Sequence, residues 1–177
     1  VGLSDWSDSD AVIAELYGQH ARSLVHLARI FVDHRDAAED IVQEAFIRMA
    51  RSLHRIEDPD RAGAYLRSIV LNLARDHNRR GLLSLRHQLP ADDLDPRGVD
   101  ETVADQQEHR RLIEAVRALP RRQRDSVALR YLLDLSVEEV ADTLGVSQNT
   151  VKTHLKRALA QLRTTTGFTD DGERHDR

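Results

Sequence analysis

The residues best suited to chemistry in this chain lie in SVEEVADTLGVSQNTVKTHLKRALAQLR, positions 136–163. Asn149, Lys152, Thr153, His154, Lys156 and Arg157 crowd one stretch, while Val151, Leu155, Ala158 and Leu162 recur between them at spacings of three and four. That periodicity predicts a helix with one buried and one cationic side. Long cations, an amide and a hydroxyl near the start of a helix are what reading a DNA major groove requires. The groove admits one helix and offers guanine acceptors and the thymine methyl along its floor. Arg157 or Lys152 suits guanine, Thr153 a base edge or a thymine methyl, and His154 or Asn149 a phosphate. A solvated basic face on an ordinary helical hairpin is the plainer reading of the same cations.

Such a helix must be held at a fixed angle by a partner, and the preceding residues have the types to do so. Ser136 followed by Glu139 is a capping box, which starts a helix by satisfying orphan amides at both ends of the pair. Val137, Val140, Ala141 and Leu144 form its inner face, with Ala141 small where two helices cross. Gly145 stands where a tight turn needs positive φ, Val146 plugs the turn, and Ser147 caps the next helix. Upstream, Arg121, Arg122 and Arg124 form a cationic run that suits phosphate, a protein partner or solvent.

The rest of the chain is also helical in pattern, with no alternating strand. A first helix is expected over about 10–32, with Ile13, Leu16, Tyr17, Leu24, Leu27 and Ile30 as its apolar stripe. Asp36 with Glu39 predicts a capped start for a second, whose buried side is Ile41, Ala45, Phe46, Met49 and Leu53. Residues 54–60, with Pro59, read as a loop, and a third helix runs over about 61–80 to a stop at Gly81. Helices are expected at about 106–119, 120–133, 137–144 and 148–164, with Pro120 at a first helical position. Between the two groups, Pro90, Pro96, Gly98 and six acids mark a linker over 82–105. The fold class is therefore all-α: two small helical domains, 10–81 and 106–165, joined by a flexible acidic linker, with a disordered tail over 166–177.

Charge follows the same division. The net −4 of the 177 residues conceals 11 basic against 13 acidic side chains in 1–80, 2 against 6 in 81–105, and 11 against 7 in 106–163. A basic second block behind an acidic strip fits a nucleic-acid binder better than the total suggests. The absence of cysteine excludes a disulfide scaffold, a thiol nucleophile and a thiolate zinc site. The nine histidines are scattered, without an HExxH or Glu-x-x-His pair, and His20 and His26 share a helix but not a face. No catalytic constellation, cofactor or metal is expected. No apolar run is long enough to span a bilayer, and the N-terminal residues lack the pattern of a signal peptide, so the expectation is a cytoplasmic protein without membrane insertion.

Both blocks together resemble the extracytoplasmic-function sigma factors, the smallest bacterial initiation factors of the sigma-70 type. The carriers are DAAEDIVQEAF (36–46) and RAGAYLRSIVLNLARDHNRR (61–80), similar to the family's region two. LPRRQRDSVALRYLLDLSVEEVADTLGVSQNTVKTHLKRALAQLR (119–163) is similar to region four. The pairing of both regions across an acidic linker is what makes the resemblance specific. It implies a sigma region 2 helical bundle at 10–81 and a region 4 helix-turn-helix at 106–165. It also implies binding to core RNA polymerase (clamp coiled coil and flap), recognition of promoter DNA, and control by an anti-sigma factor. The basic clamp coiled coil would meet Asp40, Gln43, Glu44 and Ile47. The minus-ten strand would meet Arg61, Tyr65, Asn72, Arg75, Asp76, Arg79 and Arg80, with Asn72 or Asp76 equally suited to a structural pair. Residues 54–62 would capture an extruded base. Tyr65 departs from the tryptophan usual in the family, keeping a stacking surface. Asn149, Lys152, Thr153, His154, Lys156 and Arg157 would read the minus-thirty-five duplex, and the linker would thread the polymerase's RNA path. Such a protein catalyses nothing by itself. A stand-alone regulator, a metalloenzyme and an inactive sigma mimic are the competing classes.

Overall fold

The computed structural model describes residues 9–56, 58, 61–84 and 103–166. The described residues form seven α-helices and no strand, in agreement with the expected all-α class. The core of the expected linker, 85–102, the tail from 167, and positions 57, 59 and 60 of the expected loop lie outside the described residues.

Helices α1 (Ser9–Arg29), α2 (Arg35–Ser52) and α3 (Ala62–Ser84) build the first block. Val12, Leu16, Leu24 and Leu27 of α1 pack inward against Ala38, Ile41, Val42, Ala45 and Met49 of α2 and Leu66, Val70 and Ala74 of α3. The connection 30–34 is itself buried at Ile30, Phe31 and Val32, which hydrogen-bond back to the last turn of α1. Three local expectations differ. Tyr17 is half exposed, with its ring lying against Phe46 at 5.0 Å instead of entering the core. His34, not Asp36, is the N-cap of α2, and Glu39 turns outward to pair with Arg35 at 2.8 Å, so no capping box forms there. Helix α3 continues through Gly81 to Ser84, because glycine weakens a helix without ending one. Leu53–Arg55 form a 3₁₀ turn at the head of the expected loop.

The second block holds α4 (Val103–Ala118), α5 (Arg121–Val127), a wide π turn (Ala128–Leu132), α6 (Val137–Leu144) and α7 (Gln148–Thr166). The ends 82–84 and 103–105 of the expected linker are thus helical. Pro120 precedes α5 as its N-cap, one position before the expected one. The other second-block helices gather around α7, whose Val151, Leu155, Ala158 and Leu162 are buried.

The two blocks pack on one another and their apolar side chains form one continuous cluster. A unit of about 60 residues buries only about 60% of its unfolded surface, so joining two such units adds burial neither achieves alone. Arginines line the seam. Arg117 of α4 donates to the carbonyls of Ile30 (3.2 Å), Arg29 (2.9 Å) and Val32 (3.0 Å) and to the Asp33 carboxylate (2.7 Å). It thereby donates to carbonyls at the negative end of α1, where a helix runs out of intrahelical donors. Arg124 lies 4.8 Å over the Phe31 ring and donates to the Arg117 carbonyl, so it does not face solvent as the charge run allowed. Arg67 of α3 reaches the Thr143 hydroxyl of α6 at 3.2 Å. Arg75 of α3 pairs with Asp125 of α5.

His20 stands beside this seam, near Gly63 and Arg67. Burial, reinforced by the Arg67 charge, lowers its pKa from the ordinary 6.5. The neutral imidazole is therefore favoured in the folded chain. Its contribution is complete above the unfolded value and is lost as pH falls through the lowered folded value. Thermal midpoints of the protein and of His20→Gln should diverge below about pH 6.5, with the parent losing more stability on acidification. Parallel pH profiles for the two chains would remove His20 from that dependence.

Candidate nucleic-acid and polymerase interfaces

The helix-turn-helix forms as its residue types dictate. Ser136 Oγ accepts from the Glu139 amide at 3.1 Å, while the Ser136 amide donates to the Glu139 carboxylate at 2.8 Å. The Ser136 amide holds the Glu139 carboxyl below its ordinary 4.5. At the far end Gly145 takes φ 64 and ψ 41, and the amides of Gly145 and Val146 return to Asp142 and Ala141. Nothing lies within 4 Å of where a Cβ would stand at Gly145, so the glycine serves backbone conformation and not a close approach. Ser147 Oγ then accepts from the Thr150 amide at 3.2 Å and starts α7.

On α7 the side facing away from the core carries Asn149, Lys152, Thr153, Lys156 and Arg157, all exposed, with His154 half buried at its edge. Thr153 Oγ1 donates to the Asn149 carbonyl at 2.9 Å, which fixes its hydroxyl. The structure thus brings five of the six residues expected for the duplex onto one accessible face.

A second face lies on α2. Asp40, Gln43 and Ile47 are exposed, and Glu44, partly exposed, accepts from Arg48 Nε at 2.7 Å. Ile47 is 46% exposed among these polar neighbours, an apolar side chain left without cover in a chain whose other first-block aliphatics are mostly inward. One exposed aliphatic is ordinary at a protein surface, so this face is a candidate interface only in combination with the acids around it.

The residues expected for the minus-ten strand divide. Arg61, Asn72, Asp76 and Arg79 are exposed, as is Tyr65 at 41%, while the Arg80 side chain lies outside the described residues. Arg75 is turned into the seam, where Nη1 donates to Asn72 Oδ1 at 2.9 Å and Nη2 to Asp125 Oδ2. Asp125 is fully buried. Burial pushes its carboxyl up against the opposing pull of Arg75, and burial likewise lowers the Arg75 guanidinium against the pull of Asp125. On each partner desolvation is the larger effect, as is common for buried pairs. Arg67, Arg117 and Asp125 were not among the candidate site residues, and Arg124 entered only as part of a cationic run. Their partners lie far along the chain, so no local spacing marks them. Among the described residues no group of His, Asp and Glu has the arrangement of a metal site, and no helix is long and apolar enough to cross a membrane.

Comparison with known proteins finds two family matches along the chain. Residues 16–81 match the family described as Sigma-70 region 2, and residues 109–162 match Sigma-70, region 4. The RNA polymerase sigma-E factor of Streptomyces avermitilis is 33% identical over 141 residues, covering 80% of this chain and 77% of that protein. The ECF RNA polymerase sigma factor BldN of Streptomyces coelicolor is 30% identical over 160 residues, covering 88% of this chain and 60% of that one. Among solved structures, CnrH in complex with the cytosolic domain of CnrY superposes with a TM-score of 0.69 at 26% identity, covering 89% of each chain.

The turn and caps should control whether α7 is held at its angle. Gly145→Ala forces a Cβ into left-handed backbone and should cost about 1–2 kcal/mol. Ser136→Ala should cost about 1 kcal/mol by stranding an amide. Denaturant midpoints of both variants check this, and an unchanged midpoint for Gly145→Ala would mean that the turn relaxes freely.

Proposed function

The chain belongs to the sigma-70 family, in its extracytoplasmic-function branch, and is an RNA polymerase sigma factor; from that premise we propose which surfaces carry each step. The α2 face of Asp40, Gln43, Glu44 and Ile47 docks on the basic clamp coiled coil of core polymerase. The acids steer association and the isoleucine supplies buried apolar area. The exposed face of α7 enters the major groove of the minus-thirty-five element. Lys152, Lys156 and Arg157 present charge to base edges and phosphates, and Thr153 its methyl and hydroxyl. The α3 face of Arg61, Tyr65, Asn72, Asp76 and Arg79, with Arg75 and Arg80, meets the minus-ten strand. Tyr65 offers a ring on which an unpaired base stacks.

The observation that carries this reading is the geometry of α7. Its cations stand clear of the core on a helix whose entry turn is set by Gly145 and whose inner side is wholly buried. The protein performs no bond chemistry of its own on this reading and acts in the cytoplasm with the polymerase. Its domains are assigned as 10–81 and 106–165. An anti-sigma partner controls it. The likeness to CnrH, solved with the cytosolic domain of a second protein bound, supports regulation by a protein partner.

Transcription from a genomic promoter library with core polymerase and the purified chain tests the proposal. Start sites preceded by two motifs at fixed spacing are expected. Arg157→Ala should reduce discrimination at one position of the upstream motif by about 1–3 kcal/mol. Glu44→Ala should weaken polymerase binding while leaving duplex binding by the second block intact. An unchanged promoter profile for Arg157→Ala, or unchanged polymerase affinity for Glu44→Ala, would strike that surface from the assignment.

A further inference from the structure

One cationic run of the sequence, Arg121, Arg122 and Arg124, has no part in the surfaces assigned above. The fold divides it. Arg124 is committed inward, over the Phe31 ring and onto the Arg117 carbonyl. Arg121 and Arg122 are exposed, and neither forms an ion pair with a described residue. Arg122 Nη1 lies 3.4 Å from the Leu144 carbonyl, a long contact that leaves its other donors open. That contact holds the guanidinium at the end of α6, just before the Gly145 turn into α7. We propose that Arg121 and Arg122 grip the sugar–phosphate backbone beside the groove that α7 reads, anchoring the duplex without reading its sequence. This inference rests on the sigma-factor reading and adds to it two residues outside the six on α7.

Position is the first support. A helix-turn-helix lays its second helix in the major groove while the first crosses the backbone. The groove is about 12 Å wide, so phosphates border the reading helix on both sides within a side chain's reach. Asn149, the first of the reading residues, stands five positions beyond Leu144. Fully extended, a stretch of that length spans at most about 18 Å, and here the chain turns at Gly145. The Arg122 head therefore lies near the entry end of the reading face, with Arg121 beside it in the chain.

Chemistry is the second. A guanidinium fork matches two phosphate oxygens and needs no particular base. Contacts of this kind fix register and orientation, while base edges carry the sequence information. The single acid of α5, Asp125, is fully buried and taken by Arg75, so nothing on that helix offsets the two outward cations. On α6, Glu139 is tied to the Ser136 amide, and Glu139 and Asp142 both act on Arg67. The two arginines thus reach solvent with their forks open, beside a helix already placed to enter a groove.

The test measures promoter binding by the full chain assembled on core polymerase, between about 50 and 200 mM salt. Each phosphate contact contributes about 0.9 to the slope of log affinity against log salt. Arg121→Ala/Arg122→Ala should flatten the slope by about 1.8, so its deficit against the parent shrinks about twelvefold across that range. The ranking of promoter sequences should stay as in the parent, unlike that of Arg157→Ala. Arg121→Lys/Arg122→Lys should keep the parent slope, because lysine retains the charge on a different head. Arg22→Ala removes an exposed cation from α1 and should leave the slope unchanged. A parent slope in the double alanine variant overturns the proposal. So does equal flattening by Arg22→Ala, which reduces the effect to net charge, or a lysine variant as flat as the alanine one, which traces it to the structure of α5. Weakened assembly on core polymerase with an unchanged slope puts the pair at a protein interface and overturns it too. If the parent shows no promoter-specific binding, the sigma-factor reading fails and this inference falls with it.

Discussion

Neither half of this chain is large enough to bury its own apolar surface well, and much of the architecture follows from that limit. The first block presents α1 and α3 to the second, and the second presents α4, α5 and α6, so that one apolar cluster runs through both. Association at such a boundary must still satisfy the polar groups it covers. Arginine serves because one planar head donates in several directions while its stem packs against apolar neighbours. Arg117 shows the consequence: a single side chain on α4 covers three carbonyls and a carboxylate at the end of α1. The seam is consequently polar and directional, unlike the interior on either side of it.

Within the second block, the demand is that α7 be rigid on one side and bare on the other. Ala158 and Val151 are fully buried, while Lys152, Lys156 and Arg157 stand clear. The turn before α7 is fixed by backbone geometry at Gly145 and by two hydroxyl caps, at Ser136 and Ser147, and not by side-chain bulk. A reading helix set in this way keeps its angle without contributing its outward residues to stability. Those residues are then free to be chosen for the duplex proposed as their partner. The π turn of Ala128–Leu132 brings Ala128 and Leu129 into the core just ahead of α6, and the Leu135 amide closes the wide loop onto the Leu129 carbonyl.

The charges divide by partner. The acids of α2 lie with Ile47 on the first block, where a basic protein surface is the proposed counterpart. The cations of α7 lie on the second block, where duplex DNA is the proposed counterpart. Local clustering of charge, with a net excess of cations over 106–163, explains how a chain of net charge −4 serves a polyanion.

What could be read directly from the sequence was what depends on neighbours three or four residues away. The helices, the capping box at Ser136 and Glu139, the positive φ at Gly145, the Ser147 cap and the two sides of α7 all belong to that class. So does the resemblance that led to the family, because its motifs are local strings. Some local expectations failed: Glu39 pairs with Arg35 one turn away instead of capping, Tyr17 lies across Phe46 of another helix at the surface, and α3 passes through Gly81. The junction of the two blocks was invisible for a different reason. Arg75 meets Asp125 fifty residues on, and Arg117 meets Asp33 eighty-four residues back. Pairs so far apart leave no periodic trace, and an arginine bound for a carboxylate is indistinguishable in sequence from one bound for a phosphate. Only the packing of the blocks decided which of the two Arg75 holds.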